Sequence, residues 1–181
     1  AALTALSSSS SSSTLLLLYP PLRPWCALVE TRIRLEDYAA GLTDAETALR
    51  LLSQRASAQP KRSFNILRRR LLVAKGSALA GVGRSKHAIE AFTTVLSEDP
   101  TNITAAKCLF DVYLRENMFN EALQLCENRK TTTTTTDKTG EKEGSSNDAW
   151  SAGSAGVALL HLGRLDEAAA RLERAVAMED M

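Results

Sequence analysis

Between Arg69 and Pro100 the apolar positions recur at helical spacing. Leu72, Leu79 and Val82 share one stripe, and Ala88, Ile89, Phe92, Val95 and Leu96 share a second. Gly83 and Ser85 stand between the stripes and Pro100 follows them. A left-handed glycine ends the first helix, the Ser85 hydroxyl is expected to cap the bare N–H groups of the second, and proline forbids continuation. The pattern predicts an antiparallel helical hairpin. It returns upstream with Leu28, Ile33, Leu35, Tyr38 and Ala39, then Ala45, Ala48, Leu49 and Leu52, with Gly41 near the turn and Pro60 at the close. Downstream, Ile103, Ala106, Leu109, Phe110, Tyr113 and Leu114 precede Phe119, Ala122, Leu123 and Cys126, and Asn117 suits a left-handed cap. After Trp150 a fourth hairpin carries Gly156, Gly163, Ala168, Leu172 and Ala175.

The segments between these stripes are of another kind. Residues 1–27 hold seven consecutive serines, Ser7 to Ser13, then Leu15 to Leu18 and three prolines, and read as a disordered tail in which proline breaks any helix. Residues 131–147 are threonine-rich, polar and glycine-containing, and read as a flexible loop.

Gly76, Gly83, Ala88, Phe92 and Pro100 fall in an order that resembles the tetratricopeptide repeat, whose period is about 34 residues. Leu72 and Leu79 replace the usual aromatic residues of helix A, so the copy is degenerate. The helix B alanines are assigned as Ala48, Ala88, Ala122 and Ala168, spaced 40, 34 and 46 residues. The two long intervals coincide with polar or proline-containing stretches, and helix A of the second repeat is expected to start early, near Ser63. The resemblance implies an all-α fold, a TPR-like α-solenoid of antiparallel helical hairpins in a right-handed superhelix. Its repeats lie at approximately 28–62, 63–100, 101–130 and 148–181. One hairpin cannot bury its own apolar face, so neighbours must stack.

Composition narrows the function classes. A net charge of +1 with 44% hydrophobic and 24% charged residues predicts no general attraction to nucleic acid or anionic membrane. No apolar run approaches the length of a membrane span, so no membrane insertion is expected. Cys26, Cys108 and Cys126 are odd in number and lack C-x-x-C spacing, which argues against a disulfide framework or zinc site and for a reducing, cytoplasmic location. Organelle targeting is weighed against the tail's single arginine, Arg23. The chain opens at Ala1, as expected of a fragment, a processed product or a trimmed chain.

Catalytic constellations are missing from the pattern. His87 and His161 have no metal-ligand neighbours at suitable spacing, and Cys108 and Cys126 fall at packing positions. The glycines of GSALAGVG follow no strand and lack the lysine-serine ending of a phosphate loop. No enzyme activity, cofactor or metal is expected. The basic cluster Lys61, Arg62, Arg68, Arg69 and Arg70 reads first as a solvated helix start, and second as a contact for an acidic partner ahead of RNA.

In tetratricopeptide stacks the A helices line a groove for extended peptides or partner helices. The resemblance places Arg70, Val73 and Ser77, then Lys107, Asp111 and Arg115, then Trp150, Val157 and His161 on that face. Its cations suit a peptide carrying carboxylates. The implied function is a non-catalytic scaffold or adaptor that binds a protein partner, within a multisubunit complex or through an acidic peptide. Two alternatives are a co-chaperone docking acidic chaperone tails and a helical regulatory domain of a larger enzyme. The chaperone clamp, a lysine and asparagine on the first A helix, an asparagine on the second and a lysine and arginine on the third, is unmatched by Ile33 and Asp37, by Ala74, and by Thr104 and Cys108, the residues found at those positions in this register.

Overall fold

The computed structural model describes residues 22–54, 61–133 and 143–179. Within them lie eight helices and no strand: α1 (Leu22–Arg34), α2 (Tyr38–Gln54), α3 (Lys61–Gly81), α4 (Ser85–Glu98), α5 (Ile103–Arg115), α6 (Phe119–Thr133), α7 (Glu143–His161) and α8 (Leu165–Glu179). They pair as successive A and B helices, α1 with α2, α3 with α4, α5 with α6 and α7 with α8.

Each pair is closed by the same turn. Glu36 (φ 60°), Gly83 (φ 82°), Asn117 (φ 58°) and Gly163 (φ 74°) take the left-handed conformation. In the second hairpin Arg84 N–H donates to Leu79 O at 2.8 Å and Gly83 N–H to Ala80 O at 3.2 Å. The paired bonds recur as Asp37 to Arg32 and Glu36 to Ile33, as Met118 to Tyr113 and Asn117 to Leu114, and as Arg164 to Leu159 and Gly163 to Leu160. This is the Schellman arrangement, which satisfies the last carbonyls of an outgoing helix while reversing the chain. Asn117 adopts the expected left-handed cap. Glu36, which has a Cβ, does so at a cost of roughly 1–2 kcal/mol.

Counting from these turns corrects the register of the first hairpin. Five residues after each left-handed residue stand Gly41, Ala88, Ala122 and Ala168, all buried. Gly41 therefore holds the small-residue position of helix B, inside α2, whereas the turn is at Glu36. The intervals become 47, 34 and 46 residues. Ala48 lies seven residues further along, level with Val95 and Ala175. Seven residues are close to two helical turns, so both positions face the core and periodicity alone could not separate them.

Three further expectations change. Ser85 caps nothing: the N-cap residue of α4 is Arg84, which makes no side-chain cap bond, and Ser85 Oγ donates instead to Glu116 Oε1 at 2.7 Å. A side-chain cap is found at α5, where Asn102 Oδ1 accepts from Ala105 N–H at 2.9 Å. The tail gives way to helix at Leu22, before residue 27, because Pro24 falls in the first turn, where a missing N–H costs nothing. Cys26 and Val29 of that helix are buried. Helix also enters the threonine-rich segment from both sides, to Thr133 and from Glu143 rather than Trp150. α3 begins at Lys61, early as expected. The rest of the tail, Pro60 and residues 134–142 lie outside the described residues.

The chain divides into two compact units, residues 1–74 and 75–181, with the boundary inside α3. In the first, Cys26, Ala48, Leu52 and Leu71 form one cluster, flanked by Trp25, Phe64 and Leu67, and Val29, Ala45 and Ala74 form another. In the second, Phe110, Ala122, Leu123 and Cys126 pack against Ala155, Ala158, Leu159 and Ala168. The unit depends on close A-to-B contact. A Cβ built on Gly76 would sit 2.6 Å from the Phe92 ring, and one on Gly156 would sit 2.7 Å from Leu172.

Gly76→Ala is expected to destabilise the protein by about 2 kcal/mol in urea unfolding, since the overpacking cost exceeds the gain in helix propensity. In a Phe92→Leu background, where the ring is gone, the same change should cost less than about 0.5 kcal/mol. Equal costs in both backgrounds would locate the strain elsewhere.

Candidate functional site

In the first unit α3 lies beside α1, and Arg70 meets Glu30 in a two-pronged ion pair. Nε is 2.5 Å from Oε1 and Nη2 is 2.8 Å from Oε2. The Arg70 hydrogen bond holds the Glu30 carboxyl below its usual range against a smaller opposing effect of burial, and Glu30 in turn raises Arg70. Arg70 is exposed, but its guanidinium is already turned to a carboxylate of the same chain. Val73, one turn on, is half-buried. Elsewhere in the basic cluster Arg69 Nε donates to Asn65 O at 3.4 Å, and Arg62 is exposed.

The second unit sets A helices side by side. Ser77 of α3 donates to the Cys108 sulfur of α5 at 3.8 Å. Lys107 of α5 places Nζ 5.8 Å from the Trp150 ring centroid of α7, and Phe110 meets the same indole edge-on at 6.1 Å. Asp111 and Arg115, one turn apart, are exposed on α5. Partial desolvation raises the Asp111 carboxyl, with Arg115 pulling the other way. On α7 Val157 is half-buried, and His161 in the last turn stacks on Phe119 with ring centroids 4.7 Å apart. Of the nine expected face residues, Lys107 and Trp150 are thus brought together, Asp111 and Arg115 share their helix face, and His161 belongs to the turn edge.

The periodicity did not reveal the role of Arg129. It stands twelve residues after Asn117, where the other hairpins carry Ala48, Val95 and Ala175, and is only 9% exposed. Its guanidinium donates to Pro100 O at 2.9 Å and Thr101 O at 3.3 Å, and lies 6.0 Å from the Trp150 centroid. Burial lowers its pKa, with the Asp99 charge among the opposing influences. Arg129 therefore ties the α4–α5 connection to α6 and to the indole. The detectable signal was a cation at an apolar register position. Beside it a cleft of about 400 Å³ opens between α4 and α6, floored by Leu109 and Tyr113 of α5 and walled by Leu96 and Leu125.

Burial raises the thiols of Cys26 and Cys108, and that of Cys126 to about 12, so all three stay protonated at neutral pH. Among the described residues no three His, Cys, Asp or Glu side chains gather as metal ligands. No described helix is long and apolar enough to cross a membrane.

A tetratricopeptide-repeat family model matches residues 70–102. No curated protein matches the chain significantly. Among solved structures, a Podosopora anserina putative kinesin light chain with nearly identical TPR-like repeats is 17% identical, with 88% of this chain and 75% of that one aligned at a TM-score of 0.63. MamA from Desulfovibrio magneticus RS-1 is 20% identical over 88% of this chain and 76% of that one, with a TM-score of 0.54. At such identities the likeness is one of fold: an all-helical, TPR-like repeat.

The Glu30–Arg70 pair has a pH signature. Glu30 titrates below its ordinary value of 4.5 in the folded protein, so the pair adds stability at neutral pH that is lost as pH falls through the depressed folded value. The pair is partly exposed, so Arg70→Met should cost at most about 1 kcal/mol at pH 7. The difference from wild type should shrink as pH drops from about 4.5 to 3. Urea titrations across that range check it, and a difference independent of pH would assign the loss to packing of the arginine stem.

Proposed function

We propose, on the premise that residues 70–102 form a tetratricopeptide repeat within a TPR-like helical fold, that this protein is a non-catalytic interaction scaffold. It holds an acidic segment of a protein partner on the A-helix surface of its second unit. The observation that carries this reading is the side-by-side placement of Lys107 and Trp150 on successive A helices, with Arg115 two turns further along α5. An indole backed by Phe110 is a rigid contact surface, and the adjacent ammonium supplies charge where a peptide carboxylate would lie. Asp111 is the dissenting charge on this face, and its raised carboxyl weakens that dissent as the medium becomes more acidic. Three free thiols, two of them buried, suit work in a reducing cytoplasm.

The co-chaperone reading gains nothing from the corrected register. Seven residues toward the N-terminus from Ile33 and Asp37, the first helix offers Cys26 and Glu30. Cys26 stands where a clamp for acidic tails has its lysine, and Glu30 puts a carboxylate where it has asparagine.

Replacing Lys107 and Arg115 together by glutamate should weaken binding of an aspartate- and glutamate-rich peptide at least about tenfold, an effect that grows as salt is lowered. Isothermal titration with the full chain measures it. The same variant should lose partner proteins that wild type captures from lysate. Unchanged affinity and unchanged capture would remove the A-helix face from consideration.

A further inference from the structure

The cleft between α4 and α6 lies on the B helices, apart from the A-helix surface just described. We propose that it is a second docking site, for a peptide segment that presents lysine or arginine beside one apolar side chain.

Donor accounting around the cleft points to that chemistry. Thr93 spends its hydroxyl hydrogen on Ile89 O at 2.8 Å, with Glu90 O at 3.0 Å sharing it, and Ser97 donates to Thr94 O at 2.8 Å. Arg129, the one cation in the lining, has its guanidinium turned to Pro100 O and Thr101 O. The Thr93 and Ser97 hydroxyls therefore meet an incoming group as acceptors, and Arg129 has both terminal nitrogens turned to backbone carbonyls. The one anion of the lining is Glu121, exposed in the first turn of α6. Its charge reaches inward, since after burial it is the next influence that raises the Tyr113 phenol. The net charge of this stretch of sequence has the same sign, with sixteen acidic and twelve basic side chains in residues 75–181. A cation that entered would find a carboxylate, hydroxyl oxygens and the Tyr113 ring.

Size and floor supply the second half of the description. About 400 Å³ over Leu96, Leu109 and Leu125 admits side chains of a segment rather than a folded surface. Arg129 helps to hold the cleft in shape, because it fixes the Pro100–Thr101 connection at one end of it.

Fluorescence anisotropy with the full chain tests the assignment. The probes are two labelled nonapeptides, one alternating lysine with leucine and phenylalanine, the other with glutamate in place of every lysine. The basic peptide should bind with a dissociation constant of about 10–100 μM at low salt, and the acidic one, measured with the Lys107→Glu plus Arg115→Glu variant so that the A-helix face is disabled, at least about tenfold more weakly. Glu121→Lys should weaken the basic peptide at least about tenfold. Gln124→Lys, at an exposed position one turn along α6, should do the same and guards against a local folding defect. Lys107→Glu, on the A-helix face, should leave the basic peptide's affinity unchanged. The proposal fails if the basic peptide does not bind, if both α6 variants bind it as wild type does, or if its binding is lost through Lys107→Glu. Because the A-helix surface takes the opposite charge, failure here leaves the scaffold reading standing, and the reverse also holds.

Discussion

A left-handed residue followed by two backbone hydrogen bonds that reach back into the outgoing helix governs this protein. At Glu36, Gly83, Asn117 and Gly163 it ends an A helix, satisfies carbonyls that would otherwise be orphaned and sends the B helix back along its partner. Because the turn is short and geometrically defined, it fixes which residues of the two helices face each other. Gly76 then falls beneath Phe92 and Gly156 beneath Leu172, too close for any Cβ. The small residues of each hairpin are consequences of this geometry. They let two helices approach until the large side chain of one fills the gap left by the other.

Against this regular frame the departures carry the chemistry. Ser85, free of any capping duty, joins one turn to the next through Glu116. Arg129 occupies an apolar position and uses its length to hold the α4–α5 connection, while its guanidinium lies near the Trp150 indole that Lys107 also approaches. A buried arginine is costly unless its donors find acceptors, and here two backbone carbonyls receive them. The same residue thus links the A-helix surface, by way of Trp150, to the cleft on the B helices.

The two surfaces differ in what they ask of a ligand. On the A helices a cation sits beside an aromatic ring, which is the basis of the proposed acidic-segment contact. Between α4 and α6 the Thr93 and Ser97 hydroxyl hydrogens are engaged internally and the Glu121 carboxylate lies at the rim, which is the basis of the proposed basic-segment contact. As proposed, two contacts of unlike charge would let one chain hold two partners at once without competition between them.

What the amino-acid order determined by itself was helical content, the hairpin count and the turns at Gly83 and Asn117, since periodicity and left-handed preference act within a few residues. It was ambiguous wherever two positions lie two turns apart on one face. Gly41 and Ala48 could therefore exchange roles, and Glu36, with no glycine to mark it, went unseen as the turn. Proline at 24 looked like a breaker because its harmlessness depends on where the helix begins. Only tertiary structure decided that Arg70 answers Glu30, that Lys107 reaches Trp150, and that a cleft opens beside Arg129. Arg70 and Glu30 are 40 residues apart, Lys107 and Trp150 are 43 apart, and Arg129 reaches back 29 and 28 residues to Pro100 and Thr101; such pairs are selected by how helices pack, which no local pattern records.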